Sequence, residues 1–439
     1  MPYLCRLMVY KVIGLMSGSS LDGLDLVYVH LQEGVSTIKD SPRKWDFSIL
    51  QAACYPYSEK WRRDLAAARD LSAGEYLTLH TAYGAYLGEQ ALRFIDEHNL
   101  HYQVQLIASH GHTTFHHPEH KMTAQLGDGA ALAASTRINV VSDLRAMDVA
   151  LGGQGAPIVP VGERLLLQDY GLFLNLGGIA NISMHGVGAA DAGSAGERGS
   201  GAASGSAGGP GMGSSGRVAF DVCPANRVLN GLAALKGKEY DAGGEMAAGG
   251  KVNEELLQRL NELPYYVRPN PKSLANEFGT ETVLPMVRAA VTGGGGDNGG
   301  TDDQRGRDDQ NAKAGMSVED ALRTYVEHIA IQVRRAVSGE LRVAVDGLRE
   351  GVATKEGTKM LVTGGGAHND FLIGRMRELL APLGIEVVVP DGQLVDYKEA
   401  LVMALIGVLR WREENNVYAS VTGATRDSIG GAVWIGQEA

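Results

Sequence analysis

Between Val12 and Asp25 the chain reads VIGLMSGSSLDGLD, a stretch that combines backbone freedom, hydroxyl groups and carboxylates. Gly14, Gly18 and Gly23 loosen the backbone, and Ser17, Ser19 and Ser20 add hydroxyls and exposed N–H groups, which together form a concavity suited to a phosphate. Asp22 and Asp25 stand beside it. A bare carboxylate repels a phosphate unless a divalent cation lies between them, so the pattern suggests Mg²⁺ held at Asp22 and Asp25 together with a nucleotide. The plain alternative is a Gly/Ser hairpin with ordinary turn aspartates.

A second group is VAFDVCPANRVLN, in which three apolar residues lead to Asp221 and Pro224 then opens a helix. A carboxylate at such a strand-to-helix corner either takes a proton from a hydroxyl or water, as phosphoryl transfer requires, or caps the helix. Cys223 reads as a small packed residue. In SHGHTTFHHPEH, five histidines (His110, His112, His116, His117 and His120) follow a short buried strand, with no zinc spacing and no accompanying cysteine. One or two of them, His110 first, read as substrate contacts. Arg145 offers a planar fork for a substrate carboxylate; a surface ion pair with Asp143 or Asp148 is the competing reading. Glu399 falls in the first turn of a C-terminal apolar helix, where either the macrodipole or a cleft would favour it.

These residues need elements to hold them. Val12–Met16 and Leu24–Val29 read as two strands flanking the first turn, followed by a strand at 45–55 and helices at 58–68 and 74–97. Leu172–Ser183, LFLNLGGIANIS, repeats the opening device around Gly177 and Gly178, a weak internal repeat. VTGGGAHND then places Gly364, Gly365 and Gly366 before a helix beginning near Asn369, a turn suited to adenosine. The chain of 439 residues exceeds the size of a single core, so two domains are expected, at 1–170 and 171–439. Low-complexity insertions interrupt them at about 187–216 and 292–315.

The net charge of −11 and pI near 5.6 argue against non-specific binding to nucleic acid or an anionic membrane. Three cysteines, Cys5, Cys54 and Cys223, lack paired or metal-ligand spacing, which fits a reducing compartment. No apolar run is long enough to span a bilayer, and MPYLCRLMVYK is too short in its apolar part for a signal peptide, so a cytoplasmic location is expected.

The two hairpins and the glycine turn resemble the actin-like sugar-kinase superfamily. More narrowly, GLMSGSSLDGLD, LGGQGAPIVP, LNLGGIANIS, AFDVCPAN, TGGGAHN and DYKEAL, in this order, resemble the anhydro-N-acetylmuramic acid kinase family. The resemblance implies an α/β fold of two similar actin-like domains with a nucleotide cleft between them. It implies an enzyme that uses ATP and water to open a 1,6-anhydro sugar and phosphorylate O6. It carries the ATP phosphate role onto Gly18, Ser19, Ser20, Leu21, Asp22, Gly23, Leu24 and Asp25, the base onto Asp221, and a supporting contact onto Glu399. The partners implied are the anhydrosugar and ATP, with a homodimer permitted. The sequence departs from the family pattern at Ser19 (Thr), His112 (Gln) and Val222–Asn226 (TGPGN). Levoglucosan kinase, acting on 1,6-anhydroglucose, is the alternative of the same chemistry; a catalytically silent actin-like binding module is the alternative of another class.

Overall fold

The computed structural model describes residues 8–18, 21–34, 44–184, 218–268, 272–275, 277–293, 315–346 and 357–436. Ser19, Ser20 and nearly all of both low-complexity stretches lie outside the described residues. The chain divides into two compact units: one runs to Asp169 and resumes at Tyr397, the other spans Tyr170 to Asp396 apart from the first insertion.

In the first unit, strands β1 (Val9–Ser17), β2 (Gly23–Glu33) and β3 (Trp45–Pro56) form an antiparallel meander. Helices α1 (Glu59–Ala66) and α2 (Ala73–Glu97) follow. Ser58 caps α1 by accepting from Trp61 N–H, and Ser72 with Glu75 closes a capping box on α2, so both helix starts are written in the local sequence. Next come β4 (Leu106–Ser109), β5 (His112–His117), β6 (Met122–Leu126), α3 (Gly129–Thr136), β7 (Asn139–Ser142), α4 (Ala146–Ala150) and α5 (Pro160–Leu166). β4 is parallel to β1 and β7 parallel to β4. The His-rich segment is largely β5, paired antiparallel with β6 in a two-stranded ribbon.

The second unit opens with β8 (Leu172–Leu176), β9 (Ile179–Met184) and β10 (Val218–Pro224), again an antiparallel meander. It continues through α6 (Asn226–Ala233), α7 (Glu245–Gly249), α8 (Glu254–Asn261), α9 (Leu284–Thr292) and α10 (Val318–Asp346). Strand β11 (Thr358–Thr363), α11 (Asp370–Leu380) and β12 (Ile385–Val388) complete it, with β11 parallel to both β8 and β12. The sheet orders are therefore β3-β2-β1-β4-β7 in the first unit and β10-β9-β8-β11-β12 in the second. Third-second-first-fourth-fifth is the same plan twice, so the weak repeat of two hairpins marks a duplicated α/β unit.

Helix α12 (Gly392–Trp411) leads to α13 (Ala419–Thr422) and β13 (Ala432–Trp434), which joins the edge of β7 in the first unit. Division of the sequence at 170/171 assigned this last segment to the second domain; it packs with the first. The cause is a run of small residues. A Cβ on Gly14 would fall 2.0 Å from Ala400 O, and one on Gly407 would fall 2.5 Å from Ala108 Cβ, so α12 lies directly on β1 and β4. That contact also sets Glu399 beside β1.

Each unit has its own core. Leu15, Leu26, Tyr83, Leu87, Phe94 and Ile107 fill the first, and Leu174, Ile182, Phe220, Tyr325, Ile329 and Val362 the second. On the helix after Ser317, Val318, Ala321, Leu322, Tyr325, Ile329 and Val333 recur at three- and four-residue steps and are all buried. Among the described residues, no helix is long and apolar enough to cross a membrane.

Candidate functional site

The β1–β2 turn is fastened from both sides by one tyrosine. Tyr57 O–H donates to Ser17 Oγ at 2.9 Å, and Tyr57 N–H donates to the Asp22 carbonyl at 3.2 Å. Tyr83 O–H lies 2.6 Å from Tyr57 O–H, and His112 Nδ1 lies 3.2 Å from Ser17 Oγ, so a buried polar chain runs from α2 to β5 through the hairpin. Gly18 follows β1 and is half-buried. Leu21 adopts φ 58°, a left-handed conformation uncommon for a side chain of its size. Asp22 is exposed and accepts from Gly23 N–H at 3.0 Å. Asp25 is half-buried within β2, opposite Met16. Gly23 has a packing reason: a Cβ there would fall 2.6 Å from Cys54 Sγ. Leu24 is a core side chain, leaving only its backbone for the turn.

His110, Arg145 and Glu399 fall in one neighbourhood of the first unit. His110 ends β4 and is 3% exposed. Its Nδ1 donates to Gly111 O at 2.8 Å, because a carbonyl only accepts, and so Nε2 is a bare acceptor, buried and without a partner. Burial, then the nearby Arg145 charge, pushes the His110 imidazole down to about 3. Burial also lowers Arg145 to about 10, against the opposing pull of Glu399. The Arg145 Nε is buried without a hydrogen-bond partner. Its competing reading, a surface pair with Asp143 or Asp148, is overturned: Asp148 is fully buried and accepts from Gly155 N–H at 2.7 Å and Thr422 O–H at 2.6 Å. Asp143 has a left-handed backbone at φ 55°, and the charge that bears on its carboxyl is that of His80.

Glu399 does not stand in the first turn of its helix. α12 begins at Gly392, so Glu399 is in its interior and the macrodipole has no part in placing it. The preceding Lys398 makes a 3.1 Å ion pair with Glu163 of α5, both side chains 4% exposed. Such a pair is expensive to break and fixes the helix against α5.

In the second unit, Asp221 is not a helix cap. It lies inside β10, and α6 begins at Asn226 with Ala225 as N-cap. Asp221 pairs with Asn181, and the register slips between Asp221 and Cys223, a bulge that redirects the side chain. Its Oδ1 accepts from Asn181 Nδ2 and its Oδ2 from Leu274 N–H, each at 2.8 Å. Its backbone is fastened to the same wall by Lys272 O and Tyr265 O–H. Pro224 ends the strand rather than opening the helix. Cys223 is buried, and burial drives its thiol far up, consistent with a packed residue.

The carbonyls of Gly177 and Gly178 accept from Asn226 and Ala225 N–H at the start of α6. A Cβ on Gly178 would meet nothing nearer than Arg227 Nε at 3.6 Å, and neither glycine has positive φ. Internal packing therefore does not explain them. Gly364 is different: it has φ 82°, and a Cβ would fall 2.5 Å from Asn175 Oδ1. On Gly366 a Cβ would fall 2.7 Å from Leu176 Cβ, whereas Gly365 has only Asn226 Nδ2 at 3.7 Å. Asn369 caps α11 through Leu372 N–H at 2.9 Å.

Sequence reasoning missed Asn181, Leu274, Arg227, Tyr57 and the Lys398–Glu163 pair. Only Asn181 carried a signal, since it sits in the repeated hairpin opposite the strand that bears Asp221. Among the described residues, no group of three or more His, Cys, Asp or Glu converges as a metal site.

A duplicated α/β unit with a glycine hairpin in each half, and a strand carboxylate held by fixed donors, has the parts of a kinase-type phosphotransferase. A family model described as anhydro-N-acetylmuramic acid kinase matches residues 10–195, 212–291 and 315–436. Relatives of that name from Gloeobacter violaceus and Rhodococcus erythropolis are each 30% identical to the chain, covering 94% and 96% of it and 96% and 94% of their own lengths. One from Photobacterium profundum is 27% identical, covering 97% of this chain and 99% of its own. The chain belongs to the anhydro-N-acetylmuramic acid kinase family.

Proposed function

We propose that the chain uses ATP and water to open 1,6-anhydro-N-acetylmuramic acid and phosphorylate O6, giving N-acetylmuramic acid 6-phosphate and ADP. The observation that carries this reading is the Asp221 carboxylate, fixed on both oxygens by Asn181 and Leu274. A base held at one angle needs little reorganisation before it takes a proton.

Asp221 removes a proton from a water as that water attacks the anomeric carbon. The bond from that carbon to O6 breaks, its electron pair stays on O6, and O6 attacks the γ-phosphorus in line while ADP leaves. Glu399 makes a supporting contact to water or sugar. Arg145 pairs with the lactyl carboxylate, and His110, held neutral, accepts from a sugar hydroxyl. Backbone N–H groups from Gly18 to Asp25 and at Gly177 and Gly178 cradle phosphate oxygens. Gly364 and Gly366 shape the adenosine turn, Gly365 supplies its room, and Asn369 starts the helix behind it. Asp22 and Asp25 would hold Mg²⁺, which supplies charge neutralisation on the phosphates. Two carboxylates suit an ion whose other oxygens come from phosphate and water.

Levoglucosan kinase is the second reading. It differs by lacking a carboxylate on the substrate, and the unsatisfied Arg145 Nε favours the muramic sugar. Turnover of both anhydrosugars in ¹⁸O-water tests the scheme. Label is expected on the sugar C1 oxygen; label in the phosphate would mean that water attacks phosphorus, which this chemistry excludes.

A further inference from the structure

Asn226 and Arg227 open α6 where two glycine turns of the second unit meet. Asn226 Nδ2 donates to Leu176 O at 2.9 Å, and the same side chain lies against Gly365 and Gly366, so one residue joins the Gly177–Gly178 hairpin to the Gly364–Gly366 turn. Arg227 follows it in sequence. Its stem packs on Gly279, where a Cβ would fall 3.5 Å from Arg227 Cδ. Its guanidinium reaches the hairpin, with Nε 3.6 Å and Nη2 3.7 Å from the position of a Cβ on Gly178.

That guanidinium makes no hydrogen bond or ion pair among the described residues. Its Nε is buried without an acceptor, whereas Nη1 and Nη2 keep accessible surface, and the residue as a whole is half-buried. A buried donor left unpaired is costly unless a ligand supplies the acceptor. Backbone groups at this corner are already committed: the N–H groups of Ala225 and Arg227 donate to Gly178 O, and that of Asn226 to Gly177 O. With those donors spent on the hairpin, positive charge for an anion has to come from a side chain. The side-chain atoms nearest the five glycines belong to Asn175, Leu176, Asn226 and Arg227, and only Arg227 is charged. A planar fork matches two oxygens of a phosphate.

We infer that Arg227 is a phosphate-binding cation of the second unit, its Nη groups donating to nucleotide phosphate oxygens lodged beside Gly177 and Gly178. The inference deepens the proposed function and rests on its assignment of ATP to these turns. Binding without turnover tests it, and adenosine serves as the control that separates its failure from failure of the nucleotide reading.

MgATP and adenosine, titrated calorimetrically into the full chain without sugar, share the nucleoside and differ in the phosphates. Arg227→Met keeps an apolar stem and should weaken MgATP by about ten-fold or more while leaving adenosine within about two-fold. Arg227→Lys, which keeps the charge without the fork, should fall between the parent and Arg227→Met. Ligand-free Arg227→Met should melt no lower than the parent, since it removes no hydrogen bond and deletes an unpaired buried donor. A parent that binds MgATP no more tightly than adenosine would overturn the reading of these turns as a phosphate site, and this inference with it. Where the parent does favour MgATP, an unchanged MgATP affinity in Arg227→Met overturns the inference alone. So do equal losses for MgATP and adenosine, which would make Arg227 a packing residue, or an Arg227→Lys that binds MgATP no more tightly than Arg227→Met.

Discussion

Asn181 and Asp221 face each other across the β9–β10 pair, and the Asn181 amide donates to Asp221 Oδ1 at 2.8 Å while Leu274 N–H holds Oδ2. In Asp221→Asn the new carbonyl keeps the Leu274 bond, and the new NH₂ meets an Asn181 amide that reverses to accept it. Folding should therefore survive, with a melting temperature within a few degrees of the parent. The amide has no basicity, so kcat should fall on the order of 10² to 10⁴ with ATP affinity kept. Steady-state kinetics with calorimetric ATP titration check this, and near-parental turnover in a folded variant would remove Asp221 from the role of base.

Two glycine turns of the second unit separate ligand approach from packing. Gly178→Ala places a methyl 3.6 Å from Arg227, an ordinary contact, so stability should hold. If phosphate approaches that backbone, ATP affinity should drop about ten-fold or more, equivalent to about 1.4 kcal/mol. Gly364→Ala forces a left-handed alanine 2.5 Å from Asn175 Oδ1 and should cost about 1 to 3 kcal/mol in denaturant unfolding. An unchanged ATP affinity in Gly178→Ala would detach that turn from the nucleotide.

What the sequence made legible was local. Both hairpins, the capped helices at Ser58, Ser72 and Asn369, and the stripe after Ser317 follow from alternation, caps and periodicity that act over a few residues. What it concealed depends on distant partners. Asp221 reads as a corner residue because Pro224 resembles a helix start, whereas Ala180, opposite the bulge, and the Leu274 N–H that holds the carboxylate lie 41 and 53 residues away along the chain. The same holds for Glu399, whose place follows from Gly14 admitting the Ala400 backbone. The return of the C-terminal segment to the first unit has no local signature either.

Arg145 links substrate choice to electrostatics. A charged hydrogen bond to a lactyl carboxylate is worth roughly 1.5 to 3 kcal/mol, or roughly 10- to 150-fold. Arg145→Ala should raise KM for the muramic substrate by an amount in that range and scarcely alter KM for anhydroglucose. It should also relieve part of the depression of His110, since the Arg145 charge is the second cause of that shift after burial. Competition between the two sugars, with NMR titration of His110, reads both effects; equal KM changes would point to another cation for the carboxylate.

Acid sensitivity should reside in three buried histidines. His110 and His328 are lowered to about 3 and His112 to about 4, in each case first by burial and then by a nearby arginine: Arg145, Arg335 and Arg69 respectively. An unfolded histidine takes its proton near 6.5, so between that pH and the folded value the unfolded chain binds more protons than the native one. Stability is thus fully present above about 6.5 and declines as pH falls toward 4, by up to about 1.4 kcal/mol per pH unit for each histidine. His328 isolates the second unit's share, because its Nε2 lies 2.9 Å from Tyr266 O–H and its Nδ1 2.8 Å from Asn261 Oδ1. His328→Gln retains hydrogen-bonding capacity without a titrating ring, so the stability slope between pH 6 and 4.5 should fall by about a third. Denaturant unfolding of parent and variant at pH 7, 6 and 4.5 measures it; a parent curve flat over that range would show that these rings take up protons in the folded state.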